Sequence, residues 1–189
     1  HIHAQALLGH LYQRGKGVPQ NDRRAAKWLQ QAADAGNPKA QNEYGIMLHK
    51  GQGVDKDQAR GVEYWQKAAA QADAPAMVNL GVALHKGRGV KQDKTKARAL
   101  VSTAARQGDE QAVRILANWD SKAAAEKTTM EVLRTDAEAG DAVAQCELGR
   151  IYYKNGADQD LTQALYWFTR AAEAGNMSAQ YTLGYMHLF

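Results

Sequence analysis

The sequence predicts an all-α chain folded as a right-handed superhelix of αα-hairpins. Three observations predict it. A glycine within an apolar stretch recurs at Gly9, Gly45 and Gly81, 36 residues apart each time, and at Gly149 and Gly184, 35 apart. An Ala-Ala pair travels with it, at Ala32-Ala33, Ala68-Ala69, Ala104-Ala105 and Ala171-Ala172. A Gly-x-Gly-Val stretch recurs at Gly15, Gly51 and Gly87. Markers in one phase indicate units that cannot bury an apolar face alone and therefore stack on one another.

Each unit reads as two helices. In the first, apolar residues fall at i, i+4, i+7 and i+8, one face of a 3.6-residue period. These slots hold Ala4, Leu8, Leu11, Tyr12; Ala40, Tyr44, Met47, Leu48; Ala76, Leu80, Ala83, Leu84; and Ala144, Leu148, Ile151, Tyr152. The glycine at i+5 costs a helix about 1 kcal/mol relative to Ala, so its recurrence predicts a neighbouring helix too close for a β-carbon. The second helix repeats Ala25, Trp28, Leu29, Ala32 as Gly61, Tyr64, Trp65, Ala68 and as Ala164, Trp167, Phe168, Ala171. Trp28, Tyr64, Trp65 and Trp167 are expected to fill the space between helices. Asp22, Asp57, Asp93 and Asp160 are placed to cap the second helices. Gly36, Gly108, Gly140 and Gly175 suit left-handed C-caps, with Ala72-Asp73 in their place in the second unit. Helices are expected near 3–14, 22–35, 39–50, 58–71, 75–86, 94–107, 110–119, 122–139, 143–154, 161–174 and 178–188. The fourth unit departs from the pattern: Ala117 replaces the glycine and Asn118-Trp119-Asp120-Ser121 replaces the loop.

These residues resemble the Sel-1-like repeat (SLR) family, relatives of the tetratricopeptide repeat. The pattern of alanine, Leu-Gly-x-x-Tyr, Gly-x-Gly-Val, Asp, Ala-x-x-Trp, Ala-Ala and a closing glycine is nearly complete from Ala4 to Gly36 and again from Ala144 to Gly175. The resemblance implies about five and a half SLR/TPR-like repeats in one solenoid domain over 1–189. The repeats run about 4–39, 40–75, 76–111, a degenerate 112–143, 144–178 and a half repeat 179–189. It also implies a scaffold that binds other proteins. Its relatives include bacterial adaptors, envelope factors and immunity proteins that neutralise toxic effectors.

Composition agrees with a folded chain: of 189 residues, 44% are hydrophobic and 23% charged, enough apolar surface to exclude disorder as the main state. No window approaches the roughly 18 apolar residues of a membrane span, and the single Cys146 excludes an internal disulfide framework. Residues 1–108 hold 17 Lys and Arg against 8 Asp and Glu, whereas residues 109–189 hold 7 against 12. That asymmetry is either a drifting solvated surface or a basic end and an acidic end that orient a charged partner. The basic residues are spread over loops without an aromatic-rich strand motif, so nucleic acid is not the expected partner.

No chemistry-bearing motif survives inspection. Gly-x-Gly-Val lacks both the preceding strand of a dinucleotide fingerprint and the Gly-Lys-Ser/Thr of a P-loop, so these are inter-helix turns. His49 and His85 are equivalent positions one repeat apart, roughly 8–10 Å between helices and too far to share a metal. Cys146 is expected on the exposed face of its helix with nothing to lower its pKa. No catalytic residue, metal or cofactor is expected.

The functional expectation falls on positions i+2, i+6 and i+9, opposite the core slots, which line the concave groove in tetratricopeptide relatives. The candidate partner-binding residues there are His10, Gln13, Asn42, His49, Val82, His85, Arg114, Asn118, Arg150, Tyr153, Tyr181 and Tyr185. Arg and Tyr are enriched in interfaces, and Lys, Glu and Asp depleted. A protein or peptide in this groove is the expected partner; an inhibitor that covers a toxic enzyme is the alternative. The loops around Lys16, Lys50 and Arg88 are expected on the convex side. Leu183, Met186 and Leu188 are expected to need covering, by more chain, self-association or a partner. No leader is evident; the bacterial periplasm or envelope is expected if an export signal has been removed, and the cytoplasm otherwise.

Overall fold

The structure is a computed structural model that describes residues 2–155 and 158–186. Among these residues there are ten helices and no strand. Three hairpins come first: α1 (Ile2–Arg14) with α2 (Asp22–Asp34), α3 (Pro38–Lys50) with α4 (Gln58–Ala70), and α5 (Ala74–Lys86) with α6 (Lys94–Arg106). Then follow α7 (Glu110–Glu138), α8 (Ala142–Asn155), α9 (Asp158–Glu173) and α10 (Met177–Met186). The chain divides into two compact units, His1–Trp119 and Asp120–Phe189.

The Gly-x-Gly-Val loops end the first helices as their composition demands. Gly51 and Gly53 hold φ at 76° and 70°, a region that strains residues with a β-carbon. The Gly51 N–H bonds back to the Met47 carbonyl, and the Asp57 N–H bonds back to that of Leu48 at 2.9 Å. The Asp57 carboxylate then accepts from the Arg60 N–H at 2.9 Å and starts α4. Asp93 does the same for α6 through the Lys96 N–H at 2.8 Å. Two of the four expected caps differ. Asn21, not Asp22, caps α2, accepting from the Arg24 N–H at 2.9 Å. Asp160 lies within α9. The glycines expected after the second helices have positive φ, and Ala72, which takes their place once, adopts φ 61° despite its β-carbon.

The second loop glycines also join one repeat to another. A β-carbon on Gly53 would collide with the carbonyl of Asp22, and one on Gly89 with that of Gln58. Each loop therefore seats on the first turn of the second helix in the preceding repeat.

Inside each hairpin the i+5 glycine meets the bulky residue that follows the aromatic slot. A β-carbon on Gly9 would lie 2.6 Å from Leu29 Cγ, on Gly45 2.7 Å from Trp65 Nε1, on Gly81 2.5 Å from Val101 Cγ2, and on Gly149 2.7 Å from Phe168 Cδ1. The close approach expected from the sequence is present in these four, whereas among the described residues a β-carbon on Gly184 would meet nothing within 4 Å. Leu29, Trp65, Val101 and Phe168 are buried there. Tyr64 and Trp167 are buried as expected, but Trp28 is only half-buried. In the first hairpin Leu29 supplies the volume instead.

The first helices bury a second face, not expected from the hairpin alone. Position i+2 is covered by the next repeat at Ala6, Asn42, Val78 and Cys146. Val78 clusters with Ala112 of α7, and Cys146 with Ala179 of α10. Cys146 is thus 3% exposed rather than open to solvent, and burial raises its thiol pKa. Position i+1 adds a polar stitch. Gln41 Nε2 donates to the Ala33 carbonyl at 3.1 Å, Gln145 to Ala137 at 2.9 Å and Gln180 to Ala172 at 3.1 Å. The Ala-Gln dipeptide that recurs with the core alanine carried this signal.

The expected break near 120–121 does not occur. α7 runs unbroken for 29 residues. No glycine lies between Glu110 and Glu138 to supply a left-handed stop, and Lys122-Ala-Ala-Ala-Glu-Lys are strong helix formers. Its ends alone are anchored, by Ala112 in the first unit and Ala137 in the second, while residues 120–129 are exposed.

Candidate partner-binding groove

Unit His1–Trp119 carries two adjoining clefts along its second, third and fourth repeats. The first, about 230 Å³, is lined by Ile46, His49, Lys50, Trp65, Asn79, Val82, Ala83, Arg88 and Gln111. The second, about 690 Å³, is lined by Val82, Lys86, Gln111, Arg114, Ile115, Asn118 and Trp119. Val82 and Gln111 belong to both, so they form one groove.

The repeat builds this groove. Position i+6 supplies Ile46, Val82 and Asn118 from three successive first helices, and position i+9 supplies His49. His49 lies beside Trp65, ring centroids 5.0 Å apart, and its Nδ1 is buried without a partner. Burial, and then Arg88, Lys56 and Lys50, hold its pKa below the usual 6.5. Trp65 is itself fixed, its Nε1 donating to the Asn42 carbonyl at 3.1 Å. His85 stacks flat on Trp119, centroids 4.2 Å apart and planes 8° from parallel. Aromatic walls of this kind offer rigid contact area.

Of the residues expected to bind a partner, His49, Val82, Arg114 and Asn118 line the groove, and His85 backs it through Trp119. Asn42 does not face it. It is 7% exposed, and its Oδ1 accepts from Asn79 Nδ2 at 2.8 Å. His10 and Gln13 are half-buried on α1, away from both clefts. Arg150, Tyr153, Tyr181 and Tyr185 belong to the other unit. There Arg150 bonds to Glu147 at 2.8 Å and to Ser178 Oγ at 3.1 Å, and Tyr181 is 80% exposed. Leu188 lies outside the described residues.

Lys50 and Arg88 sit on the rim of the first cleft, not on an opposite, convex side. Sequence reasoning also missed Asn79, Gln111 and Trp119. Trp119 occupies an i+7 core slot, which disguised it: it packs beside the buried residues of α5 and α6 and still presents a face to the second cleft.

Among the described residues no three or more His, Cys, Asp or Glu gather as a metal site, and no helix is long and apolar enough to cross a membrane. The model of the Sel1 repeat matches residues 2–37, 38–73, 74–109, 142–176 and 178–189, leaving all of α7 outside. Similar solved structures include c5321, a protective antigen present in uropathogenic Escherichia coli strains that displays an SLR fold. It shares 35% identity and a TM-score of 0.62 over 98% of this chain, which spans 41% of that protein. A Sel1 repeat protein from Oxalobacter formigenes shares 32% identity and a TM-score of 0.61, covering 95% of this chain and 73% of its own. The immunity protein Pa5087 from Pseudomonas aeruginosa, at 20% identity and a TM-score of 0.51 over 94% of this chain and 67% of its own, shares the fold alone. No curated protein matches the chain. Sel1 repeat proteins are in general non-enzymatic scaffolds for protein interaction. On the repeats matched, the hairpins they form and the two structures above 30% identity, the chain belongs to the Sel1 repeat family.

Proposed function

We propose that this chain is a non-enzymatic scaffold that holds an extended segment of a protein partner in the groove of unit His1–Trp119. One observation carries the reading: equivalent positions of three successive repeats, Ile46, Val82 and Asn118, open into one continuous cleft walled by Trp65 and Trp119. Regular presentation of the same slots by stacked repeats suits a linear ligand. Buried Trp65 and half-buried Trp119, flanked by polar Asn79, Gln111 and Asn118, give anchors beside hydrogen-bonding groups, as in interface centres. The inhibitor alternative rests on a likeness of fold at 20% identity and on no residue of this chain.

The test is an array of immobilised random decapeptides probed with the labelled protein. The parent is expected to select a subset of peptides. Val82→Trp, which fills the cleft shared by both pockets, is expected to weaken these at least tenfold, about 1.4 kcal/mol. The exposed Asn118→Trp serves as a second block if Val82→Trp melts early. Selection that neither block alters overturns the groove as the docking surface.

A further inference from the structure

The rim of the same groove assigns a charge to its occupant. Lys50 and Lys86 are equivalent residues in the last turns of α3 and α5, and Arg88 follows in the loop after α5. Lys50 and Arg88 line the first cleft, and Lys86 and Arg114 the second. No Asp or Glu lines either cleft. Among the described residues Lys50, Lys86 and Arg88 form no ion pair. Arg114 pairs with Glu110 at 3.4 Å, with the two side chains 77% and 89% exposed. Such an open i,i+4 pair is weak and exchanges readily for a better carboxylate. The surrounding chain adds to the field, with 17 basic against 8 acidic residues over 1–108.

Between these cations the floor is apolar, formed by Ile46, Trp65, Val82 and Ala83 in the first cleft. At about 230 Å³ this end of the groove has room for a single side chain. First helices of successive repeats stand about 8–10 Å apart. A peptide in the extended polyproline II conformation advances about 3.1 Å per residue with three residues per turn, so carboxylates three residues apart share one face about 9 Å apart and match cations one repeat apart.

The geometry points to an acidic linear segment as the occupant: two carboxylates three residues apart on Lys50, Lys86, Arg88 and Arg114, with an apolar side chain between them in the Ile46–Trp65–Val82 cleft. This rests on the groove being the docking surface, and the experiment separates the two. Three decapeptide arrays are compared, each with Leu at one fixed position and random elsewhere. They carry Glu, Gln or Lys at two positions three apart around it. The Glu array is expected to yield at least tenfold tighter binders than the Gln array, with affinity falling between 50 and 200 mM salt. The double reversal K86E/R88E, at exposed positions that leave the fold intact, is expected to transfer the preference to the Lys array. Equal binding of Glu and Gln arrays, still blocked by Val82→Trp, overturns the acidic assignment and leaves the groove standing. Binding that Val82→Trp and Asn118→Trp fail to block overturns both. A 12-nucleotide oligo-dT that binds more tightly than the best Glu peptide, and is lost in K86E/R88E, overturns it in favour of nucleic acid.

Discussion

The second repeat, residues 38–73, and the segment 110–141 share an apolar register and fold differently. In the repeat, α3 stops at Gly51, the chain returns through Asp57, and α4 lays Trp65 against Gly45. In the segment, Ala117 stands in the glycine slot, no loop glycine follows, and α7 continues to Glu138. The first arrangement buries seven residues of α3. The second buries Ala112 and Ala137 at the two ends of a helix whose middle is exposed. Helix propensity alone gives a rod. A hairpin needs a left-handed stop and a slot that accepts its partner's bulk.

The comparison breaks most visibly at Trp65. Trp65→Ala empties the slot facing Gly45 and is expected to destabilise by about 3–5 kcal/mol in urea melts, the range for deleting a buried large aromatic. Trp28→Ala, half-buried, is expected to cost clearly less. Equal costs would show that the residue beside the glycine is not what closes the hairpin.

Alkaline titration separates the two regions next. Burial, together with the hydrogen bond from the Tyr64 hydroxyl to Asp34 at 2.5 Å, pushes the Tyr64 pKa up to about 12. The unfolded chain loses this proton near pH 10 and the folded chain keeps it, so the stabilisation is complete below pH 10. It is lost as pH rises through 12, on the order of 2 kcal/mol. Segment 110–141 contains no tyrosine. Tyr64→Phe is expected to flatten the fall in unfolding free energy between pH 10 and 12; an unchanged slope would refute the assignment.

The smallest effects sharpen the glycine slot itself. Gly45→Ala improves helix propensity yet brings a β-carbon within 2.7 Å of Trp65, so a net loss of about 1–3 kcal/mol is expected. Ala117→Gly, on the exposed side of α7, is expected to lose about 1 kcal/mol by propensity alone. Thermal melts of both variants check this. A stabilised Gly45→Ala would mean that the hairpin has room to spare.

Periodicity made the fold legible. Core alanines, the i+5 glycine and the loop glycines each recur, and a recurring local cost signals a recurring contact. What stayed hidden depends on neighbours that no single helix reveals. Position i+2 looks like an outer face until the next repeat covers it, which is why Asn42 and Cys146 are buried. The missing stop after Trp119 was visible, but reading it as a shortened loop rather than as no loop divided α7 in two. The groove was half legible. Its i+6 residues follow the repeat, whereas Gln111 and Arg88 come from a helix start and a loop whose positions depend on stacking.

Gly53 and Gly89, seated on the carbonyls of Asp22 and Gln58, have an evolutionary consequence. A side chain added at Gly53 would damage α2, a helix of the preceding copy, rather than its own hairpin alone. The copies are therefore not free to diverge one at a time. A substitution in one is judged by the backbone of the one before it, so loop glycines can be lost only where no such seat exists. The segment after Trp119 has neither loop glycine, and there the chain runs on as one helix with no loop to seat.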